Sequence, residues 1–339
     1  MQTTLDTYLQ HFSLEKSPFS LTPDPQFLFL TPQHREALAA LFFGITARKG
    51  FMVMTGAAGT GKTTLIKKLL QSLSATSGHF SVIINPALTR SELLECILMD
   101  FGVKDIPSSK ALRLYLFKDM LVKANLEGKI SVLVVDEAHL LGPDLIEEIR
   151  LLSNFETPEQ KLLQIVLAGQ KELNNILNLP SMTQVRQRVA IRMRLDPLDR
   201  GDIERYLRIR WTRAGAHHPL PFSPDAIESI ARLSAGVPRL INAICDAALI
   251  NAYGSGKREI RAAGIAEVAT DLQLADGDFA QPIPNSPPPS SGLTDKTPES
   301  PVPAAGSVKA IERYMPPKRQ QRKLFSVTNW FRFAHTEVE

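Results

Sequence analysis

Disulfide-forming capacity is almost absent: the 339 residues include two cysteines, Cys96 and Cys245. Both fall in apolar helical patterns, so they read as buried free thiols, and a disulfide-stapled secreted fold is excluded. Neither sign of charge is in excess. Lys and Arg total 39 against 35 Asp and Glu, a net charge of +4, which is too balanced for a wholesale nucleic-acid coat. No apolar run approaches the roughly 20 residues of a membrane-spanning helix. The stretch from Met1 to Leu14 lacks the basic-then-apolar pattern of a secretory leader. A cytoplasmic location is the expectation. Internal repeats are also missing. What is present is 44% hydrophobic residues, ample for a core, and length for about two domains.

One octapeptide organises the rest: Gly56-Ala57-Ala58-Gly59-Thr60-Gly61-Lys62-Thr63. It fits the phosphate-binding pattern G-x-x-x-x-G-K-[ST]. Phe51 to Met54 before it reads as a buried strand, and Thr64 to Leu70 after it has helical spacing. Glycines at 56, 59 and 61 take backbone angles closed to residues with a Cβ, so successive N–H groups can form an anion nest. The following helix adds its positive end, about half a unit charge. Lys62 is placed for the β- and γ-phosphates of ATP and Thr63 for Mg²⁺, and Thr64 completes the nucleotide-binding run.

Taken in order, the chain opens with Tyr8 to Phe12 and then Pro18-Phe19-Ser20-Leu21-Thr22-Pro23-Asp24-Pro25. The prolines predict an extended arm rather than a helix, with Phe27 to Leu30 a short strand or a packed hook. Thr31 and Pro32 start a helix as N-cap and first position, which Gly44 is expected to disrupt near its end. Strands are predicted at 51–54, 80–85, 130–135, 162–168 and 189–195. The helices between them lie at 64–70, 89–101, 108–126 and 143–152. That alternation argues for a parallel five-stranded sheet, with the last strand at an edge because Arg192 and Arg194 alternate along it. Four helices follow, over 199–213, 223–233, 238–253 and 262–272. From about residue 275 the chain becomes Pro-rich, which reads as a disordered linker. A basic stretch from Lys309 to Lys323 then leads into Leu324 to Phe333. It reads as a docking peptide, a peripheral contact with the inner membrane or a solvated tail. The expected division is an arm and helix packing on the ATPase core over 1–50, an α/β ATPase domain over 51–197, an all-α lid over 198–273, a linker over 274–308 and a tail over 309–339.

Hydrolysis needs more than a phosphate loop. Asp136 ends the apolar strand Ile130 to Val135, and in a parallel sheet that end faces the loop. Its carboxylate suits Mg²⁺, jointly with Thr63. Glu137 is placed to orient or deprotonate the attacking water. His139 either couples nucleotide state to a partner or is an ordinary capping histidine. Gln170 reads as a γ-phosphate or water contact, or as the start of a helix. Arg188, with Arg186 in reserve, is the candidate for a cation reaching a neighbouring subunit's γ-phosphate; a surface ion pair is the other reading. Arg239, in Gly236-Val237-Pro238-Arg239, presents a cation from the lid or serves a structural role.

With these residues assembled, the chain resembles the AAA+ P-loop NTPases, and within them the ExeA/GspA family of general secretion ATPases. The likeness runs from Tyr8 to Leu272. It rests on Pro18 to Pro25, Phe27 to Leu38, the Asp-Glu-Ala-His box at 136–139, Gly169-Gln170 and Gly236 to Arg239. The resemblance implies the sensor roles of Gln170 and Arg239, the arginine-finger role of Arg188, a homo-oligomer with shared sites, and an arm near the adenine, with Phe27, Leu30 and His34 as contacts. Fuller family members continue into a transmembrane helix and a peptidoglycan-binding region. Here a Pro-rich and then basic tail stands instead, so a short form is expected. Shorter relatives resemble ATPases of pilus assembly and exopolysaccharide systems, which implies a protein partner in an envelope assembly. The same core resembles the DNA-bound ATPases of transposition and origin recognition. In that alternative, Arg205, Arg208, Arg210 and Arg213 would meet DNA phosphate. A helicase reading rests only on the Asp-Glu-Ala-His box, and no second motor domain follows residue 197. A scaffold without turnover is argued against by Glu137.

Overall fold

The structure, a computed structural model, describes residues 4–73, 78–84, 86 and 88–274. The expectations for the linker and for the basic tail lie outside those residues. Five strands, β1 (Phe51–Gly56), β2 (Gly78–Ile83), β3 (Ile130–Val135), β4 (Leu163–Gly169) and β5 (Val189–Leu195), form one sheet in the order β2-β3-β4-β1-β5. Every neighbouring pair is parallel. The central strands β1 and β4 are buried along their whole length, which is why they read as continuous apolar runs. β5 lies at an edge, and Ala190, Arg192 and Arg194 alternate outward along it.

The two-residue period of the strands separates two cores. Val53, Leu133, Val135, Ile165 and Leu167 face one layer. That layer holds α4 (Arg90–Asp100), α5 (Lys110–Leu126), α6 (Pro143–Leu152) and α7 (Lys171–Leu177). Met52, Met54, Val132, Val134 and Val166 face the other, where α2 (Pro32–Thr46) and α3 (Lys62–Leu73) pack. α2 starts where expected, with Thr31 Oγ1 accepting from the His34 N–H. It runs past Gly44 rather than breaking there. A Cβ at Gly44 would sit 2.5 Å from Met52 Sδ and 2.6 Å from Ile191 Cδ1, so glycine permits close helix–sheet contact.

The arm departs from expectation in two ways. Thr4–His11 is a helix, α1, because the prolines begin only at Pro18. The arm also packs on the helical region rather than on the sheet. Tyr8, Phe12, Phe19, Phe27 and Phe29 share one core with Ile203, Leu207, Trp211, Ile241 and Leu249. Those partners come from α9 (Arg200–Arg213) and α11 (Pro238–Gly254), which with α10 (Pro224–Ser234) and α12 (Ala262–Asp271) make up the helical region. Of the 1–50 segment, only α2 and its approach lie against the sheet. Phe27 to Leu30 is a hook and not a strand: Pro25–Phe27 is a single 3-10 turn, capped by Asp24 Oδ1 accepting from the Gln26 N–H at 2.8 Å. Between β4 and β5 lie two short helices, α7 and α8 (Thr183–Arg188), too short to declare a period. Cys245 is buried, but Cys96 is only half-buried, a correction to the paired reading of the thiols. Among the described residues, no helix is long and apolar enough to cross a membrane.

Candidate nucleotide site

The loop between β1 and α3 sits at the carboxyl end of the sheet. Gly59 and Gly61 hold φ of +78° and +98°, angles that favour glycine. Gly56 does not, a correction, and there it is close packing that favours glycine, since a Cβ would fall 2.5 Å from the Leu195 carbonyl oxygen. At Gly59 the space is also filled: a Cβ would fall 2.6 Å from Arg239 Cβ. Lys62 is buried, and its Nζ donates to the carbonyls of Gly56 at 2.8 Å and Ala57 at 2.9 Å. Burial pulls its pKa down, while the carboxylates of Glu137 and Asp136 oppose that shift. A desolvated ammonium held only by neutral carbonyls is suited to accept an anion.

The strand order brings the acid pair to the same place. Thr63 Oγ1 donates to Asp136 Oδ2 at 2.6 Å, and the other oxygen of Asp136 accepts from the Glu137 N–H at 2.9 Å. Asp136 is buried, and its N–H donates to the Ile83 carbonyl on β2. A hydroxyl beside a carboxylate is the all-oxygen donor set that Mg²⁺ takes, with phosphate and water as its other ligands. Among the described residues, no cluster of three or more His, Cys, Asp or Glu could hold a metal. With only the Thr63 hydroxyl and the Asp136 carboxylate as donors, the pair fits an ion whose remaining ligands are phosphate and water.

Glu137 occupies the left-handed region at φ +49°, a conformation that costs on the order of 1 kcal/mol for a non-glycine residue. Its Oε2 lies 3.3 Å from His139 Nδ1 and, among the described residues, has no hydrogen-bond partner. Gln170 stands behind that histidine. Its N–H donates to His139 Nδ1 at 3.4 Å, and its side-chain amide meets His139 Nε2 at 3.1 Å. Gln170 is also the N-cap residue of α7. Its side chain faces His139, and of the two expected readings the structure shows the helix start.

The other arginine candidates separate. Arg239 lines the cleft, and its backbone N–H donates to the Gly59 carbonyl at 3.3 Å. Arg188 is at the opposite end of the sheet: Val189, next to it, pairs with Phe51, about 16 Å of strand from the loop. Its Nη1 donates to Ser153 Oγ at 3.0 Å. Arg186 is exposed nearby. Neither can touch a nucleotide bound to its own subunit.

The far side of the cleft is formed by the arm and the helical region. Ser20 to Asp24, Phe27 to Phe29, Tyr206 and Asn242 line it. Tyr206 Oη donates to Asn242 Oδ1 at 2.7 Å; nothing in the spacing of α9 and α11 marked this pair. Of the three expected adenine contacts, Phe27 and His34 line the cleft. Leu30 packs with the sheet layer instead. Two of the four arginines proposed for DNA hold the arm. Arg210 is buried, donates from Nε to the Pro18 carbonyl at 2.6 Å, and lies 5.0 Å from the Phe27 ring centroid. Arg213 donates to the carbonyls of Gln26 and Leu28. Arg205 and Arg208 pair with Asp202 and Glu204. All four arginines thus have partners within the chain, but of the four only Arg210 is buried; Arg205, Arg208 and Arg213 are exposed.

An AAA-domain profile matches residues 45–177. General secretion pathway protein A of Aeromonas hydrophila is 44% identical over 254 residues, covering 75% of this chain and 46% of that protein. The chain thus spans about half the length of this curated relative. Among solved structures, Cdc6p from Pyrobaculum aerophilum superposes with a TM-score of 0.60 at 19% identity, over 76% of this chain and 70% of that one. The ORC2 protein of Aeropyrum pernix gives 0.57 at 14% identity, over 77% and 72%. At such identities the structural likeness establishes the fold alone.

Proposed function

This chain belongs to the AAA+ ATPases, of the general secretion pathway protein A type, and from that premise we propose that it binds and hydrolyses ATP with Mg²⁺. One observation carries the reading: Lys62 and Thr63 stand against Asp136 and Glu137, with Thr63 Oγ1 2.6 Å from Asp136 Oδ2. On binding, the triphosphate takes over Lys62 Nζ from the loop carbonyls, and the run from Gly56 through Thr64 cradles it. Thr63 and Asp136 hold Mg²⁺. Once bound, the ion neutralises charge on the phosphate oxygens. Glu137 orients the attacking water and accepts its proton. Leaving the left-handed conformation or the contact with His139 sets when it does so. Arg239 brings a cation from the helical region.

Arg188 serves a neighbouring copy, since its own site is out of reach; such an arginine is worth roughly 10³–10⁵ in rate. The cycle drives or regulates assembly of an envelope system of the secretion, pilus or exopolysaccharide kind. The general secretion relative supports that assignment, as does the burial of Arg210 against the arm, which takes it out of reach of DNA phosphate. The core test is the pair Lys62→Ala and Glu137→Gln. The first is expected to abolish ATP binding, and the second to retain binding while stopping turnover. If both variants hydrolyse ATP as wild type does, the site is elsewhere. For the shared site, Arg188→Ala mixed with Glu137→Gln should recover part of the lost activity; no recovery removes Arg188 from that role.

A further inference from the structure

His34 is buried, at 3% exposure, where both ring nitrogens need partners. It sits in the first turn of α2, and both of its ring nitrogens are engaged. Nε2 lies 3.1 Å from the Thr60 carbonyl oxygen, which can only accept, so Nε2 carries the proton. Nδ1 is then a lone pair, and it accepts from the Thr31 hydroxyl at 2.6 Å. Thr31 Oγ1 accepts in turn from the His34 backbone N–H at 3.2 Å. Burial holds the imidazole pKa below its ordinary value, which fits a neutral ring with one donor and one acceptor.

The bond to Thr60 bears on phosphate binding through covalent geometry. In a trans peptide the carbonyl and the following N–H point in opposite directions. Holding the Thr60 carbonyl toward α2 turns the Gly61 N–H toward the cleft, where a nest needs it. Gly61 is at φ +98°, and a Cβ built there would touch His34 Nε2 at 3.5 Å. The base of the histidine is rigid. Ala37, Leu41 and Ile45 bury α2 in the sheet layer, and Gln33 ties it to Asp196 beyond β5 at 2.9 Å. The loop is gripped from the other side as well, where the Gly59 carbonyl accepts from the Arg239 N–H.

We propose that His34 is a positioning residue for the nucleotide: from the arm side it orients the Thr60–Gly61 peptide so that the phosphate loop is formed before ATP arrives. The proposal rests on the nucleotide-binding reading above. Side-chain length tests it. Gln places an amide N–H near the Nε2 position and can reach Thr60. Asn, one methylene shorter, matches Nδ1 and can reach only Thr31. Leu fills the space with neither.

Binding of Mg²⁺·ATP and Mg²⁺·ADP to the full chain is measured by calorimetry for wild type and the three variants, with steady-state kinetics and unliganded thermal unfolding. A single net hydrogen bond of ordinary strength corresponds to a change of up to about tenfold. His34→Gln is expected to bind within about threefold of wild type. His34→Asn and His34→Leu are expected to bind five- to tenfold more weakly, with KM raised more than kcat is lowered. Asn binding as tightly as wild type, or Gln as weakly as Asn, overturns the proposal. Should the Leu variant fail to fold, the Gln–Asn comparison decides, since both keep a polar amide in the same space. A wild-type chain that ignores Mg²⁺·ATP removes the nucleotide-binding reading itself, a different result from any ordering among the variants.

Discussion

The sheet half and the arm-and-helix half are assembled by different rules. In the sheet, each strand declares its own burial through its residue period, and neighbouring strands supply the partners. In the other half, the core is joined across the chain: Arg210 meets the Pro18 carbonyl 192 residues away in sequence, and Phe29 packs edge-on against Tyr206 with centroids 5.9 Å apart. The phosphate loop lies where the halves meet, with His34 on one side and Arg239 on the other. The difference teaches that the self-declaring half places Lys62, Thr63, Asp136 and Glu137 together and grips the loop through His34 on α2, while the long-range half supplies Arg239 and the far walls of the cleft.

The largest expected effect breaks the first half's chemistry and leaves the second half intact. Lys62→Ala should remove ATP binding while the unliganded unfolding midpoint stays near that of wild type. Glu137→Gln should lower turnover by about 10²–10⁴-fold, the usual worth of a general base, with nucleotide affinity retained; a phosphate-release assay beside calorimetry reads both. Next comes the join. Arg210→Ala leaves backbone carbonyls unpaired and empties the space between Phe27 and Tyr206, so a loss of about 2–4 kcal/mol in denaturant unfolding is expected. Arg210→Lys should recover little, because an ammonium cannot reproduce the planar fork. A variant as stable as wild type would show that the arm is not held by this residue.

Gly236→Ala sharpens the comparison at the hinge between the halves. Gly236 has φ +75°, and a Cβ there would fall 2.1 Å from the Leu198 carbonyl oxygen. A loss of about 1–3 kcal/mol is expected, with weaker ATP binding if the helical region shifts.

The smallest effect is a pH dependence. Burial lowers the pKa of His34 and of His79 below their ordinary value of 6.5. The unfolded chain therefore binds those protons more readily than the folded one. Stability is full above about pH 6.5 and falls as pH drops toward the depressed folded values. His34→Gln should flatten that fall in part, as read from unfolding midpoints between pH 5 and 8, leaving the share due to His79.

The phosphate loop, Asp136 and Glu137 were legible because their roles depend on residue type at short spacing: a glycine where φ is positive, an acid where a parallel strand ends. β5 was legible as an edge from Arg192 and Arg194 alone. The family likeness extended the reading to the arm, but it pointed Leu30 at the cleft when that residue packs with the sheet layer, and the arm's own core was not visible. No local pattern in Tyr8, Phe12 and Phe19 says whether their rings meet a sheet or Trp211. The partner of Gln170 was hidden for a similar reason. The end of β4 was foreseen, yet the 3-10 turn at Ala138–Leu140 that brings His139 between Gln170 and Glu137 was not.

Sequence alone was enough to establish a strand–loop–helix of the phosphate-binding pattern, a second strand ending in an acid pair, and a parallel sheet to bring them together, because periodicity and backbone freedom are properties of neighbouring residues. Only the tertiary structure decided that Arg210 and Arg213 hold the arm, that Arg188 lies beyond reach of its own site, and that His34 grips the loop. Those outcomes depend on which distant surfaces meet, and on buried polar groups finding the partners that water no longer supplies.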